Sequence, residues 1–399
     1  MQVVYATEIP PKTLTSSMFL AGPSPRNPEH PNWRIEAVKA LEEMGYEGVV
    51  FIPLSRDGEW SHSYDDQVEW EETYLNMADL VVFWVPRDLE SLPALTTNVE
   101  FGKWYDSGKA VLGYPPHAEK MRYLAYDANQ EAIPLYDTLE GTLRYAVNRL
   151  GSGAKRTGGE REVPLHIWQL PHFQNWYQAQ KSAGNRLDGA KLLWGFRVGP
   201  TKAFTFAYAL HVDVHIADED RNKINEFIIS RPDIATIVAY RKPEGYAWHH
   251  EVGDLLDVQV VLIREFRSPA RTEDGFIREI PGGSSWRPGE DPLVTMAHEL
   301  EEETGLTIDD PSRFRKIGAR QVAGTLSTHQ AHVFAIELVE WEMEYLKREQ
   351  AQQVVHGNIE DSERTYVEIH RLGDLESGSA VDWSMLGMIF SAMLLKDDG

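Results

Sequence analysis

Between Ser17 and Gly113 the chain alternates short, almost unbroken apolar runs with segments of helical periodicity, and this alternation constrains the fold more than any other feature. Ser17 to Gly22, Val49 to Pro53, Leu80 to Val85 and Ala110 to Gly113 read as strands. Trp33, Ala37, Val38 and Leu41 recur at helical spacing, and Trp70 to Met77 and Thr97 to Trp104 supply two further helices. A strand apolar on both sides must be covered on both faces, whereas a half-wet antiparallel strand alternates polar with apolar. Residues 1–150 are therefore expected to be an α/β domain, a doubly wound parallel sheet with helices on either side. Ligands of such sheets bind beyond the carboxyl ends of the strands. Those ends are Gly22-Pro23, Pro53, Pro86 and Gly113.

A length of 399 residues accommodates two or three domains, each with its own core. The formal charge of -23 opposes binding to a nucleic acid polymer or an anionic membrane, since both would repel it. A small phosphorylated substrate at a local metal site is compatible with that charge. No cysteine is present, so neither disulfides nor thiolate chemistry enters. The apolar runs at Leu80 to Val85 and Met385 to Leu395 are too short to span a bilayer. No basic start followed by a long apolar run opens the chain, and a cytoplasmic location is expected.

Residues 151–163 are rich in glycine and charge without apolar periodicity, the pattern of a linker. The segment 164–200 carries Trp168, Phe173, Trp176, Tyr177, Trp194 and Phe196, so it is either a packed subdomain or a contact in a dimer or larger homo-oligomer. Beyond it, Ala203 to Ile216, Ile234 to Tyr240, Leu255 to Phe266, Lys316 to Ala323 and Ala331 to Leu338 read as strands. Asp220 to Ile229 reads as a short helix and Val381 to Leu395 as an amphipathic one. Residues 164–399 are thus expected to form an α+β sandwich.

Within that region, Gly282 to Leu306 carries the densest chemistry. Asp291-Pro292 and Gly305 mark the two ends of a helix whose Leu293, Met296, Ala297 and Leu300 form an apolar stripe. Glu299, Glu302 and Glu303 fall on a different face. Three carboxylates this close repel one another, and a hard divalent cation relieves the repulsion. A glutamate run is ordinarily a solvated face, but here it follows Glu279-Ile280-Pro281-Gly282-Gly283 and Gly289-Glu290. Together these stretches resemble the Nudix hydrolase box, a glycine, five residues, a glutamate, seven residues, then REUxEExGU. Six residues separate Gly283 from Glu290, and His298 stands at the arginine position.

The resemblance implies an α+β Nudix sandwich and Mg2+, or Mn2+, held by Glu299, Glu302, Glu303 and Glu290, with Glu279 as a further candidate. It also implies a general base in the box, at Glu302, or in a later loop, at Glu360 or Glu363. Val261 to Arg267 followed by Glu279 to Gly283 looks most like the ADP-ribose and nucleotide-sugar branch, making Arg267 and Gly283 candidate substrate contacts. His329 and His332 lie near the expected substrate strand.

Three stretches of the first domain resemble the nucleoside 2-deoxyribosyltransferase family: Phe19 to Pro23, Trp70-Glu71 with Ala78-Asp79, and Thr96 to Gly102. The resemblance implies a flavodoxin-like or Rossmann-like sheet and a glutamate, matched by Glu100, that attacks the anomeric carbon of a nucleoside. A carboxylate suits this task because it stabilises an oxocarbenium-like centre and forms an ester that is later released. Asp79 matches the acid that assists the leaving base, with Asp65 or Asp66 helping. Gly22, Pro23 and Asn98 are candidate substrate contacts. Tyr64, Trp70 and Trp104 either stack on a base or fill core.

The two resemblances together imply a bifunctional nucleotide-processing enzyme. One site cleaves a phosphoanhydride and the other breaks or exchanges an N-glycosidic bond. The alternative is that one domain is a catalytically silent nucleotide sensor regulating its neighbour.

Overall fold

The computed structural model describes residues 1–25, 32–56, 64–245, 255–285, 287, 289–358, 362–375 and 381–394. Glu360 and the side chain of Tyr64 lie outside the described residues. The chain forms two compact units, Met1–Arg231 and Pro232–Gly399.

The first unit opens with β1 (Gln2–Tyr5), β2 (Thr13–Leu14), β3 (Ser17–Ala21), α1 (Trp33–Glu43), β4 (Val49–Ile52), α2 (Tyr64–Met77) and β5 (Leu80–Trp84). It continues with α3 (Leu95–Trp104), β6 (Ala110–Gly113), α4 (Arg122–Gln130), β7 (Leu135–Tyr136) and α5 (Leu139–Leu150). β1, β4, β3, β5, β6 and β7 lie side by side in that order, all parallel. The central strands β3, β4, β5 and β6 are buried at every position, as their unbroken apolar composition requires. Thr138 caps α5 by accepting from Gly141 N, and the helix buries Leu139, Leu143, Ala146 and Leu150 on one stripe. Each buried leucine there stabilises the packing by roughly 2 kcal/mol. Trp70 packs on Phe19, Phe51 and Tyr74 in the opposite layer, and Trp104 lies against the same core with Lys109 over its ring. Trp70 is a core residue and Trp104 packs half-buried against that core.

The expected linker is not a linker. Residues 151–163 hold β8 (Arg156–Thr157), which pairs with β2, and a 3-10 turn at Gly158–Glu162. Arg156 is fully buried and grips Asp79 through Nη1 to Oδ1 at 2.7 Å and Nη2 to Oδ2 at 2.6 Å. The unit then runs through α6 (Leu165–Trp168), α7 (Pro171–Ser182), β9 (Arg186–Val198), β10 (Phe204–Ile216) and β11 (Arg221–Ser230). The first part of the aromatic segment is packed, with Trp168, Phe173 and Tyr177 enclosing a core with Tyr208, Leu210 and Val212, whereas Trp194 and Phe196 on β9 are exposed. Asp220 to Ile229, expected to be helical, is mostly strand β11, antiparallel to β10. Its isoleucines and phenylalanine satisfy either period, and the ladder to β10 decides. The boundary between units consequently falls at Arg231 and Pro232, not at 151–163.

The second unit is a mixed sheet with helices. β12 (Ile234–Arg241), β13 (Gln259–Phe266), β14 (Phe276–Glu279), β15 (Gly282–Gly283), α8 (Pro292–Thr304), β16 (Arg315–Gln321), β17 (Gln330–Glu337), α9 (Glu340–Gln352), β18 (Thr365–Arg371) and α10 (Trp383–Leu394) follow in sequence. The order across the sheet is β14, β13, β12, β17, β16, with β15 paired to β12 and β18 to β13. Asp291 caps α8 by accepting from Leu293 N, and Gly305 ends it at φ 70°. Among the described residues, no helix is long and apolar enough to cross a membrane.

Removing either partner of the Asp79–Arg156 pair leaves the other charge buried and unpaired, a loss of about 3–5 kcal/mol. Asp79→Ala and Arg156→Ala are therefore each expected to unfold the first unit at markedly lower urea, as denaturation curves would reveal. Unchanged midpoints would refute this account.

Candidate functional site

The site of the first unit forms where β3 and β5 end. Gly22 has φ 151°, and a Cβ there would lie 2.2 Å from Trp84 O, so the chain can turn away from the sheet only as glycine. Pro23 O accepts from Trp33 Nε1 at 3.0 Å. Arg34 is 1% exposed, and its guanidinium is spread over the strand end: Nε donates to Leu20 O at 3.0 Å and Nη2 to Gly22 O at 2.6 Å. Burial lowers its pKa to about 10, opposed by the charges of Glu100 and Glu71.

Glu100, on α3, faces this arginine. Burial, then the nearby Glu71, raise its carboxyl to about 7 against the pull of Arg34 and Lys103. Glu71, on α2, is itself raised by burial, while Gln67 Nε2 donates to its Oε1 at 2.9 Å. Two half-buried carboxyls near one fixed cation hinder each other's ionisation, which favours one proton held by the pair.

Asp79, expected beside Glu100, is placed elsewhere. It precedes β5 and so sits at the amino end of the sheet, where Ser17 N, Ser17 Oγ, Leu165 N and Arg156 occupy its oxygens. Its side chain is fully buried, which gives it a structural role and removes it from the site as an acid. The residue that sequence reasoning passed over is Glu71. Its signal was helical geometry: eight residues before Asp79, it lies about 12 Å back along α2, toward the carboxyl ends of the strands. Asp65 and Asp66 are exposed in the first turn of α2, and Asp65 lines a groove with Glu69, Glu72 and Asp188 on a different face of the helix from Glu71. Asn98 is exposed on α3 and accepts from Arg87 Nη2.

In the second unit, glutamates from β13, α8 and the segment before β18 converge. One carboxylate oxygen each from Glu265, Glu303 and Glu363 lie within 4.8 Å of one another. Glu303 is 2% exposed, on the buried face of α8 with Met296 and Leu300 and not on a polar face as its spacing suggested. Its Oε2 accepts from Gly282 N at 2.8 Å. Burial, then Glu299, hold its carboxyl well above the usual range. Burial, then Glu302 and Glu363, raise Glu299 to about 7. Gly283 is where Glu299 comes to rest, because a Cβ there would meet Glu299 Oε1 at 2.2 Å. Glu265 is likewise raised to about 7 by burial, against the pull of Arg267. Arg267 Nη2 lies 2.7 Å from Glu265 Oε2 and 3.2 Å from Glu279 Oε2. The first contact lacks hydrogen-bond geometry, which leaves Glu265 Oε2 buried without a hydrogen bond.

Glu265 was not among the expected ligands, although a glutamate inside the buried run of β13 was a legible sign. Glu302 is half-buried, 3.4 Å from His298 Nδ1. Glu290 is not drawn into the cluster: Ser285 Oγ donates to it at 2.6 Å and Thr295 Oγ1 at 3.2 Å, and the serine bond chiefly lowers its pKa. His332 turns to Asp233 and His329 to Ser327. An all-oxygen donor set that is buried, mutually repelling and incompletely hydrogen-bonded fits a hard divalent cation such as Mg2+.

The open parallel sheet makes the first unit an α/β domain, an architecture whose ligands bind beyond the carboxyl ends of the strands. Residues 15–118 match the model of the family described as nucleoside 2-deoxyribosyltransferase like, and this stretch is a domain of that type. No curated protein matches the chain.

The raised carboxyls give stability a definite pH dependence. A folded pKa above the unfolded value means protons held more tightly in the fold, so this stabilisation is complete below about pH 4.5 and is lost as the pH rises through about 7. Thermal melts in EDTA are expected to fall by roughly 5 °C between pH 5 and 8, with Mg2+ restoring the loss and Glu303→Gln flattening the slope. A Mg2+ effect that is equal at both pH values would count against the carboxylate cluster as its cause.

Proposed function

We propose that the chain processes nucleotides at two chemically distinct sites, one in each unit. The first breaks or exchanges the N-glycosidic bond of a nucleoside or nucleotide. The observation that carries this reading is the Glu71–Glu100 pair beside Arg34 at the carboxyl ends of the strands, within the matched segment. Ionised Glu100 attacks the anomeric carbon as the bond to the base breaks, giving a glycosyl ester. Glu71, holding the shared proton, delivers it to the departing base. Water or a second base then releases the sugar, with Glu71 taking a proton back. Arg34 is pinned to backbone carbonyls and holds a constant positive field on both carboxyls.

For the second unit, the resemblance of Gly282 to Leu306 to the Nudix box and the converging glutamates support cleavage of a nucleoside diphosphate derivative, of the ADP-ribose or nucleotide-sugar type. Glu265, Glu299, Glu303 and Glu363 would hold Mg2+, with Glu302 at the edge of the set. When bound, the cation supplies neutralisation of the diphosphate charge. Gly282 N orients Glu303, Gly283 leaves room for Glu299, and Arg267 balances Glu265 and Glu279. A silent, nucleotide-sensing second unit is the other reading. It is favoured by His298 in the arginine position and by the tethering of Glu290 to Ser285 and Thr295.

Products of a nucleotide and nucleoside library, identified by mass spectrometry, separate these readings. Glu100→Ala is expected to reduce base release at least about 1,000-fold and leave phosphoanhydride cleavage intact, while Glu303→Gln does the reverse. Loss of both activities in either variant would overturn the division of labour. The kcat/KM for base release should fall as the pH rises through about 7, where the pair loses its shared proton, and a flat profile there would remove the pair as the proton source.

A further inference from the structure

We propose that the contact between His356 and Glu349 is a positioning device for the cation site of the second unit. It holds the segment that delivers Glu363 against the end of α8, so that breaking it withdraws one carboxylate from the set. The proposal rests on the reading of those glutamates as a divalent-cation site, and it names two residues that act on the site without touching the ion.

Glu363 reaches the site differently from its neighbours. Glu265 is carried by β13, and Glu299 and Glu303 by α8, so sheet pairing and helical hydrogen bonds set where their carboxylates stand. Glu363 belongs to neither a helix nor a strand. One of its carboxylate oxygens nevertheless lies within 4.8 Å of one each from Glu265 and Glu303. A side chain outside regular structure keeps such a place only if its backbone is tied down, because ordering a free segment costs conformational entropy.

The segment is tied at its base. His356 and Thr365 exchange two backbone hydrogen bonds, each 3.0 Å. Gly357 N donates to Glu302 O at 2.9 Å, and Thr365 Oγ1 to Glu303 O at 3.0 Å. The last carbonyls of a helix have no partner within it, so these two donors also complete the end of the helix that carries Glu299 and Glu303. Glu363 N donates to Asn358 O at 3.0 Å.

At His356 these ties meet a third element. Its Nε2 lies 3.0 Å from Glu349 Oε2 on α9, and the two side chains are only 12% and 15% exposed. The same ring presses on the glycine that ends α8, since a Cβ at Gly305 would lie 2.9 Å from His356 Cε1. Tyr345, one turn before Glu349 on α9, donates from its hydroxyl to Gly305 O at 3.1 Å. The imidazole is thus wedged between α8 and α9. Turning it would take its donor from a largely buried carboxylate, and that cost holds the ring, and with it the base of the segment, in one place. Partners of this kind, one step removed from a metal, typically change its affinity by about 10–100-fold.

The test measures Mn2+ binding to the full chain by electron paramagnetic resonance, with urea denaturation in EDTA as the check on folding. Glu363→Ala is expected to weaken Mn2+ about tenfold or more, and His356→Ala and Glu349→Ala to weaken it by a similar factor. Glu349→Gln, whose side-chain oxygen still accepts from His356, should bind as the wild type does. In a Glu363→Ala background, Glu349→Ala should bring no further loss, because a positioning residue acts only through the carboxylate it places. Should His356→Ala fail to fold, Glu349→Ala decides. Wild-type affinity in Glu349→Ala or in Glu363→Ala, or losses that add in the double variant, would overturn the proposal while leaving a cation site in place. Mn2+ that does not bind the wild type would remove the cation reading itself, and the proposal with it.

Discussion

The bidentate pair between Asp79 and Arg156 is the contact on which the first unit depends. Asp79 ties the start of β5 to the start of β3 through Ser17, and Arg156 carries that tie to Val163 O and, through Asp79, to Leu165 N. A buried ion pair is weakly stabilising overall, because desolvation offsets most of the attraction, but it is intolerant of misplacement. Its effect here is to fix register. The parallel sheet and the segment leading into α6, α7 and the antiparallel β9–β11 ribbon are obliged to share one arrangement. The functional end of the sheet is thereby left free of structural carboxylates.

Both candidate sites follow from one physical circumstance, the burial of carboxyl groups with too little positive charge. In the first unit the half-buried Glu71 and Glu100 both feel the fully buried Arg34, and on the proposed reading a shared proton resolves the imbalance. In the second unit Glu265, Glu299 and Glu303 are all raised, while Arg267 lies to one side and is also shared with Glu279. A proton can neutralise each of these groups, but a divalent cation can neutralise several at once. On the proposed reading, the same electrostatic problem is met by acid–base chemistry at one site and by metal binding at the other.

Much of the first sheet was legible because its strands are buried on both faces, so their apolar runs are unbroken and their helices show clear periodicity. What failed depended on non-local partners. Residues 151–163 look like a linker until Arg156 meets Asp79, 77 positions earlier. Arg221–Ser230 has apolar residues compatible with either period, and pairing to β10 determines the outcome. In the candidate site, Glu100 was a candidate from its motif, whereas the choice between Glu71 and Asp79 required asking which end of the sheet each reaches. Glu303 was legible as a candidate ligand but its inward face was not, since a buried glutamate defeats any rule that assigns faces by polarity. Glu265 went unnoticed inside a strand that otherwise reads as core.

Arg34 has a further meaning. With Nε and Nη2 committed to the carbonyls of Leu20 and Gly22, it cannot swing toward an arriving ligand or follow charge as a bond breaks. The field it imposes on Glu71 and Glu100 exists before substrate enters and persists after product leaves. Reorganisation of dipoles, which in water accounts for much of the barrier to forming a charged centre, has already been carried out during folding. Selectivity at this end of the sheet must then come from what the substrate brings to a rigid frame and not from a frame that adapts to the substrate.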